Sequence, residues 1–209
     1  AKDSAWQSLI KDARQYPFWM TNENEEALAP EFQAAVFSIR QASNRAELVV
    51  EELAAPTDIA THAIAFSAEV SSETSEVPGS LGTGRFVLFW SPQPQENWTT
   101  NFRIVCFSRA PLESDITSED QSAEITWTWL TDALAIAGAE HSAIAGTTTR
   151  IISKGHGMMA NEKNHAELEM RASWSPHGTD IAKHFQAWQN LVCIMSGFEL
   201  TPGVGEVHR

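Results

Sequence analysis

The sequence has few of the residues that span membranes or carry reactive chemistry. It contains two cysteines, one tyrosine and 14 lysines and arginines against 27 aspartates and glutamates in 209 residues. No stretch approaches the roughly 18 consecutive apolar residues that a membrane-spanning helix needs. The first residues, AKDSAWQSLIKDARQ, lack the basic-then-apolar order of a signal peptide. We therefore expect a cytoplasmic protein that makes no contact with a membrane.

The shortage of basic residues restricts the partners that the chain can bind. Its formal net charge is −13, whereas binding to nucleic acid is driven largely by Lys and Arg side chains that neutralise phosphates. We therefore expect no direct binding to nucleic acid. Strong acidity is typical of a soluble monomer or small homo-oligomer, and it leaves a protein partner possible.

Common catalytic and metal-binding patterns are also missing. Cys106 and Cys193 lie in apolar segments, which predicts two buried free thiols rather than a disulfide. His156 and His165 flank a glycine-rich segment, but no neighbouring Cys or His completes a tetrahedral set. Neither a phosphate-binding loop nor a G-x-S-x-G turn is present. We predict no metal, no cofactor and no catalytic residue, although an enzyme with an unidentified site stays open.

The hydrophobic periodicity predicts an α+β protein. Segments typical of strands lie at residues 48–50, 62–70, 85–90, 102–107, 147–153 and 166–174. Residues 62–70 and 166–174 have apolar side chains at every second position, whereas residues 85–90 are nearly all apolar, which predicts a central strand. Segments with helical period lie at residues 4–15, 30–42, 118–137 and 179–196. This order, α-α-β-β-β-β-α-β-β-α, predicts a mainly antiparallel sheet of about six strands with helices packed against it. We expect one domain over residues 1–209, with a core at about 30–200 and an N-terminal helix and connector at 1–29.

Eight tryptophans mark the expected core. Trp129, Trp174 and Trp188 each lie on the apolar stripe of a predicted element, so we expect all three to be mostly buried. In the third helix, the predicted stripe contains Trp129 and its neighbours Ile125, Ala133 and Ile136, with Trp127, Leu130 and Leu134 beside it. In the last helix we expect Thr179 as the N-terminal cap and Gly197 as the end.

Five segments resemble one protein family. They are GRFVLFWSP (84–92), NFRIVCFSRAPLE (101–113), TWTWLTDAL (126–134), AGTTTR (145–150) and EMRASWSP (169–176). Their order and spacing resemble the actinobacterial family catalogued as domain of unknown function 3000, over roughly residues 30–200. The resemblance implies a cytoplasmic single-domain protein with no established activity.

Arginines occupy unusual positions for that residue type. Of nine arginines, Arg85, Arg103, Arg150 and Arg171 lie within or at the start of four different predicted strands. If the strand registers align, Arg103, Arg150 and Arg171 share one sheet face. Thr148, Glu169 and Ser173 then lie on the same face. We predict that Arg103, Arg150, Arg171 and Ser173 bind a ligand or partner, because guanidinium groups hold anionic groups well. The alternative is a set of ion pairs with Glu167 and Glu169 that solvates this face.

Three functions remain compatible with these features. The first is a noncatalytic interaction or adaptor module whose open sheet face binds an acidic peptide or protein. The second is a binder of a small anionic metabolite through the arginine face, and the third is an enzyme. A deep pocket lined by the three arginines would favour the second function. A flat or self-paired face would favour the first.

Overall fold

The structure, a computed structural model, describes residues 28–71, 82–112, 119–161 and 165–199, with the backbone alone for 119–122. The predicted helix at residues 4–15 lies outside the described residues. The other elements follow the predicted order, which confirms the α+β class. They are α1 (Pro30–Gln41), β1 (Leu48–Leu53), β2 (His62–Val70), β3 (Thr83–Trp90), β4 (Phe102–Leu112), α2 (Glu119–Ile136), β5 (His141–Ser153), β6 (His165–Pro176) and α3 (Ala182–Met195).

The six strands form one antiparallel sheet in the order β1-β2-β3-β4-β6-β5. Strands β3 and β4 are central, as the apolar character of residues 85–90 predicted. Strand β5 follows α2 in the chain but lies outside β6, at the end of the sheet. Among the described strands, β1 and β5 are therefore the two edges.

The three helices pack against one face of the sheet, and α3 lies at the centre of this layer. Phe185 of α3 makes edge contacts with Phe66 of β2 and Phe86 of β3 at centroid distances of 4.9 and 5.2 Å. Trp188 follows one turn later, and its ring contacts Phe86 at a centroid distance of 5.5 Å with the two ring planes tilted by 47°. All four side chains are buried, so this aromatic cluster joins helix and sheet. The face turned away from the helices is called the open face below.

Helix α1 is hydrogen-bonded to the start of α3. The Ile181 N–H donates to the Ser38 hydroxyl at 2.9 Å and to the Thr179 carbonyl at 3.0 Å, and the helix begins at Ala182. The prediction that Thr179 caps this helix is wrong, because Ile181 is the N-terminal cap residue and no side chain caps the helix. Gly197, with φ of 88°, lies two residues after the end of the helix at Met195, as predicted.

The buried side of α2 differs from the predicted stripe. Leu130 and Leu134 are fully buried, Trp129 is half-buried, and Ile125 and Ile136 are 40% and 53% exposed. The helix contacts α3, β5 and β6, which all lie on one side of it. Its core side is therefore centred on the pair Leu130 and Leu134, one turn apart. The predicted buried stripe, which included Ile125 and Ile136, was wrong for this reason.

Both cysteines lie in the core. Cys106 and Cys193 are both buried free thiols, as predicted. Burial raises the pKa of each thiol to about 12, so neither has the thiolate character that a reactive cysteine needs. Within the described ranges, no helix combines the length and apolar character that crossing a membrane requires.

Candidate functional site

Arg103 lies on β4, on the open face, and is 9% exposed. Its Nη2 donates a hydrogen bond of 2.7 Å to the Ser173 hydroxyl. Its Nη1 donates to the Ala143 carbonyl at 3.0 Å, with longer contacts of 3.4 Å to the Asn97 carbonyl and the Ser175 hydroxyl. These acceptors are all neutral, and in the described part of the chain no carboxylate pairs with this guanidinium. Burial lowers the pKa of Arg103.

Arg103 holds two backbone segments in an unusual conformation. Asn97 and Ala143, whose carbonyls it binds, have φ angles of 69° and 51°. A residue other than glycine in this region costs on the order of 1–3 kcal/mol unless its surroundings hold it there. Ala143 also lies inside a β-bulge, where the pairing of β5 with β6 shifts between Ser142 and Ala145. The guanidinium therefore ties the bulge of β5 to the loop that precedes β4.

The same bulge carries a cluster of hydroxyl and imidazole groups. Ser142 Oγ lies 2.5 Å from Thr99 Oγ1 and 2.9 Å from His177 Nε2, and the Thr99 N–H donates to Ser175 Oγ at 3.1 Å. A hydroxyl beside an imidazole resembles a nucleophile beside a base. Within the described residues, however, no carboxylate is hydrogen-bonded to His177, so the third group that orients such a base is missing there.

Sequence reasoning missed this cluster. Thr99, Ser142 and His177 come from three segments separated by more than thirty residues each. Serine, threonine and histidine are common surface residues, and only the sheet register brings these three together. The bulge itself has no glycine at Ala143 that would have signalled a positive φ. No local pattern could have identified the group.

Arg171 lies on the open face but is already paired. Its guanidinium binds the Glu169 carboxylate at 2.7 Å and lies 5.8 Å from the centre of the Phe107 ring. On the neighbouring strand, Arg109 forms an ion pair with Glu167. Both glutamates are thus engaged by arginines within the sheet, as the ion-pair alternative predicted. This part of the open face is a lattice of opposite charges.

Arg150 does not join the other two arginines. It is directly opposite Leu168, whereas Thr149 is opposite Glu169, and opposite residues of antiparallel strands point to the same face. Arg150 and its neighbour Thr148 therefore lie on the helix side of the sheet, and the prediction of one shared face is wrong. The Nε and Nη1 atoms of Arg150 are buried without a hydrogen-bond acceptor. Burial without an acceptor costs about 1–3 kcal/mol for a typical polar group.

An open cleft of about 480 Å³ lies at the C-terminal end of α2. Its polar lining consists of Glu140, His141 and His177, and its floor includes Leu134. Across the described residues, no group of His, Cys, Asp and Glu has an arrangement that could hold a metal ion. The predicted arginines do not line this cleft, so it is separate from the residues proposed for binding.

Comparison with known proteins places the chain in a family. Residues 28–205 match the family described as protein of unknown function (DUF3000), and this range contains every described helix and strand. A search of curated proteins and a search of solved structures each found no match. The chain therefore belongs to the DUF3000 family, as its tryptophan-containing motifs predicted.

Proposed function

We propose that the protein is a single-domain, noncatalytic interaction module of the cytoplasm, whose partner adds to the outer edge of the sheet. The edge ribbon is defined here as residues 141–161, which comprise β5 and the turn after it. Arg150, one of the four residues predicted to bind, lies on this ribbon. Arg103, Arg171 and Ser173 lie on β4 and β6, outside the ribbon. In this proposal they do not contact the partner: Arg103 binds the Ala143 carbonyl of the ribbon and the Ser173 hydroxyl, and Arg171 is paired with Glu169.

One observation carries this proposal: β5 is a long strand that is paired on one side. It extends over 13 residues and pairs with β6, and among the described strands it has no other neighbour. An edge strand presents a row of N–H and C=O groups to which an extended segment of another protein can bind. The sequence of β5, HSAIAGTTTRIIS, contains no proline and one charged residue, so it lacks the usual protection against such pairing.

The opposite edge supports the choice of β5 by contrast. Strand β1 has only six residues, and its Glu51 and Glu52 are exposed. Short length and charged side chains are the features by which natural sheets discourage edge pairing. The edge ribbon also exposes more apolar side chains than β1, where Val49 is 52% exposed. Ile152 of β5 is 58% exposed, and in the turn after β5 Met159 is 55% exposed and Met158 fully exposed. Methionine adapts its shape to a partner surface readily.

The arginines of the open face favour an interaction module over a small-anion site there. Arg171 is neutralised by Glu169 at 2.7 Å, and Arg103 donates to protein acceptors from both terminal nitrogens. An anion at this face would have to displace these contacts. The small-anion alternative is therefore best considered at Arg150, whose Nε and Nη1 have no acceptor. Thermal unfolding in phosphate or citrate tests it, since a rise in Tm that Arg150→Gln abolishes would favour that alternative.

Affinity capture with matched variants tests the interaction module. Ile152→Glu places a charge on the edge ribbon, and Val49→Glu places one on β1 at a residue with similar exposure, 52% against 58%. We expect proteins from a lysate of the source organism to bind the wild type and Val49→Glu but not Ile152→Glu. The captured protein, once purified, should bind the wild type and Val49→Glu more tightly than Ile152→Glu. Equal capture by all three proteins, or no capture by any, would contradict the proposal.

A further inference from the structure

We infer that the edge ribbon recognises an extended segment rich in aspartate or glutamate, with Arg150 as the anchoring cation; this rests on the proposed function. The charge distribution of the chain is the first reason. Residues 141–161 contain no acidic residue, although the chain has 27 in 209. The same stretch contains Arg150 and Lys154 together with His141 and His156. A segment with neither Asp nor Glu in so acidic a chain suits an acidic partner.

The state of the Arg150 guanidinium is the second reason. Its side chain is half-buried, and its Nε and Nη1 have no acceptor. The described salt bridges of Arg40, Arg45, Arg109 and Arg171 each include a glutamate, whereas none includes Arg150. Because Nε and Nη1 are buried, a carboxylate from outside would bind the guanidinium at Nη2, which is not among these buried atoms without an acceptor. It would supply the counter-charge that the described residues do not, and hydrogen bonds to charged groups are stronger than those between neutral ones.

The difference between the two sheet edges is the third reason. Glu51 on β1 would repel an acidic segment at that edge, because like charges facing each other across a strand pair are destabilising. Its neighbour Glu52 is paired with Arg40 at 3.5 Å. The positive charges of the ribbon would attract the same segment. An acidic segment should therefore bind at the β5 edge and not at the β1 edge. The net charge of −13 opposes approach from a distance, but at physiological salt this field extends only about 8 Å. Local charges therefore decide where the segment binds.

Two peptides that differ only in charge test this inference. The first is acetylated and amidated Thr-Glu-Val-Glu-Val-Glu-Val-Thr, and the second has glutamine in place of each glutamate. We expect the glutamate peptide to bind the wild-type protein at least about fivefold more tightly, which corresponds to modest gains from partly exposed ion pairs. The preference should disappear in Arg150→Gln and persist in Arg150→Lys. Isothermal titration at two salt concentrations should show the affinity for the glutamate peptide falling with salt.

The variants remain interpretable because Arg150→Gln removes no hydrogen bond from Nε or Nη1. Thermal unfolding should therefore give a Tm for this variant no lower than that of the wild type. Equal binding of both peptides, lost in Ile152→Glu but kept in Val49→Glu, would retain the interaction module and overturn the acidic preference. Failure of both peptides to bind would overturn the inference, and the capture experiment would then decide the proposed function separately.

A second copy of the chain is another possible occupant, because β1 with Glu51 and Glu52 is itself an acidic strand. Sedimentation of the wild type over a range of concentrations distinguishes binding of a second copy from binding of a separate partner. A monomer at all concentrations is expected. Self-association that is lost in both Arg150→Gln and Glu51→Gln would assign the ribbon to a second copy, and would overturn the inference of a separate acidic partner.

Discussion

The indole Nε1 of Trp174 donates a hydrogen bond of 3.0 Å to Nδ1 of His184. Both side chains are buried, so this bond joins β6 to α3 inside the core. Because Nδ1 accepts, the neutral imidazole carries its proton on Nε2. Burial is the largest cause that lowers the pKa of His184, to about 3, and the nearby charges of His141, His177 and Lys183 act in the same direction.

This bond predicts that acid destabilises the protein. His184 has its ordinary pKa of 6.5 when unfolded and about 3 when folded, so between these values the unfolded chain binds the extra proton. Stability should be greatest above pH 6.5 and fall as the pH is lowered toward 3. The fall between pH 6.5 and 5 should be about 1.6 kcal/mol, since one group contributes at most about 1.4 kcal/mol per pH unit and only half of that slope at its unfolded pKa.

Urea unfolding of the wild type and His184→Gln at pH 7.5 and 5 measures this effect. The variant should be less stable at pH 7.5 but should lose less stability on acidification. Burial also lowers the pKa of His62, so His62→Gln serves as a second control and should remove a smaller part of the pH dependence. The prediction fails if wild type and His184→Gln show the same pH dependence.

Loss of Arg103 should destabilise the protein more than loss of Arg40. Arg103→Ala leaves the Ser173 hydroxyl and the Ala143 carbonyl without their donor, which should cost about 2–4 kcal/mol. Arg40→Ala removes an ion pair with Glu52 whose side chains are 47% and 39% exposed, and such pairs contribute about 1 kcal/mol or less. Chemical denaturation of both variants compares them. Equal losses would mean that Arg103 does not hold the bulge.

The two tryptophans of the predicted core should differ in their contributions to stability. Trp174 is fully buried, whereas Trp129 is half-buried. Trp174→Ala should cost about 3–5 kcal/mol, the range for emptying a large aromatic site. Trp129→Ala should cost less than half as much, because solvent already reaches its ring. Urea melts followed by circular dichroism would decide the order, and a larger loss for Trp129→Ala would contradict the burial of α2 described above.

Nucleic acid should not bind to the purified protein. A net charge of −13 leaves too few cations to release the counterions condensed on a phosphate backbone. We expect no retardation of duplex DNA or structured RNA in a gel at near-physiological salt. A micromolar complex whose affinity falls steeply with added salt would contradict this expectation.

The sequence predicted the helices and strands where periodicity and terminators agreed. In α1, Pro30 lies in the first turn and Phe32, Val36 and Ile39 are buried on one stripe, as expected. The alternation of residues 166–174 likewise identified β6. Periodicity failed to identify the start of β5, because Ile144 is the one large apolar residue among residues 141–146. The strand there is held by pairing with β6 rather than by its own pattern.

The face of each arginine was harder to predict than the strand that carries it. Alternation fixes which residues of one strand share a face, but the relation between two strands depends on the turn that joins them. The turn between β5 and β6 gave no such information, and the register places Arg150 opposite Leu168 rather than beside Arg171. A shift of the strand register by one residue moves every side chain of that strand to the other face. The sequence therefore placed Arg103 and Arg171 correctly on one face but not Arg150.

The contacts of Arg103 also have a consequence for the rate of unfolding. Its acceptors Ala143, Ser173 and Ser175 lie 40 to 72 residues further along the chain, so they meet the guanidinium only after β5 and β6 have joined the sheet. Interactions of such long sequence separation are costly to form early in folding. Substitution of Arg103 should therefore leave the refolding rate nearly unchanged and shorten the lifetime of the native state. The Arg103 contacts would thus form late in folding and be among the first to break in unfolding.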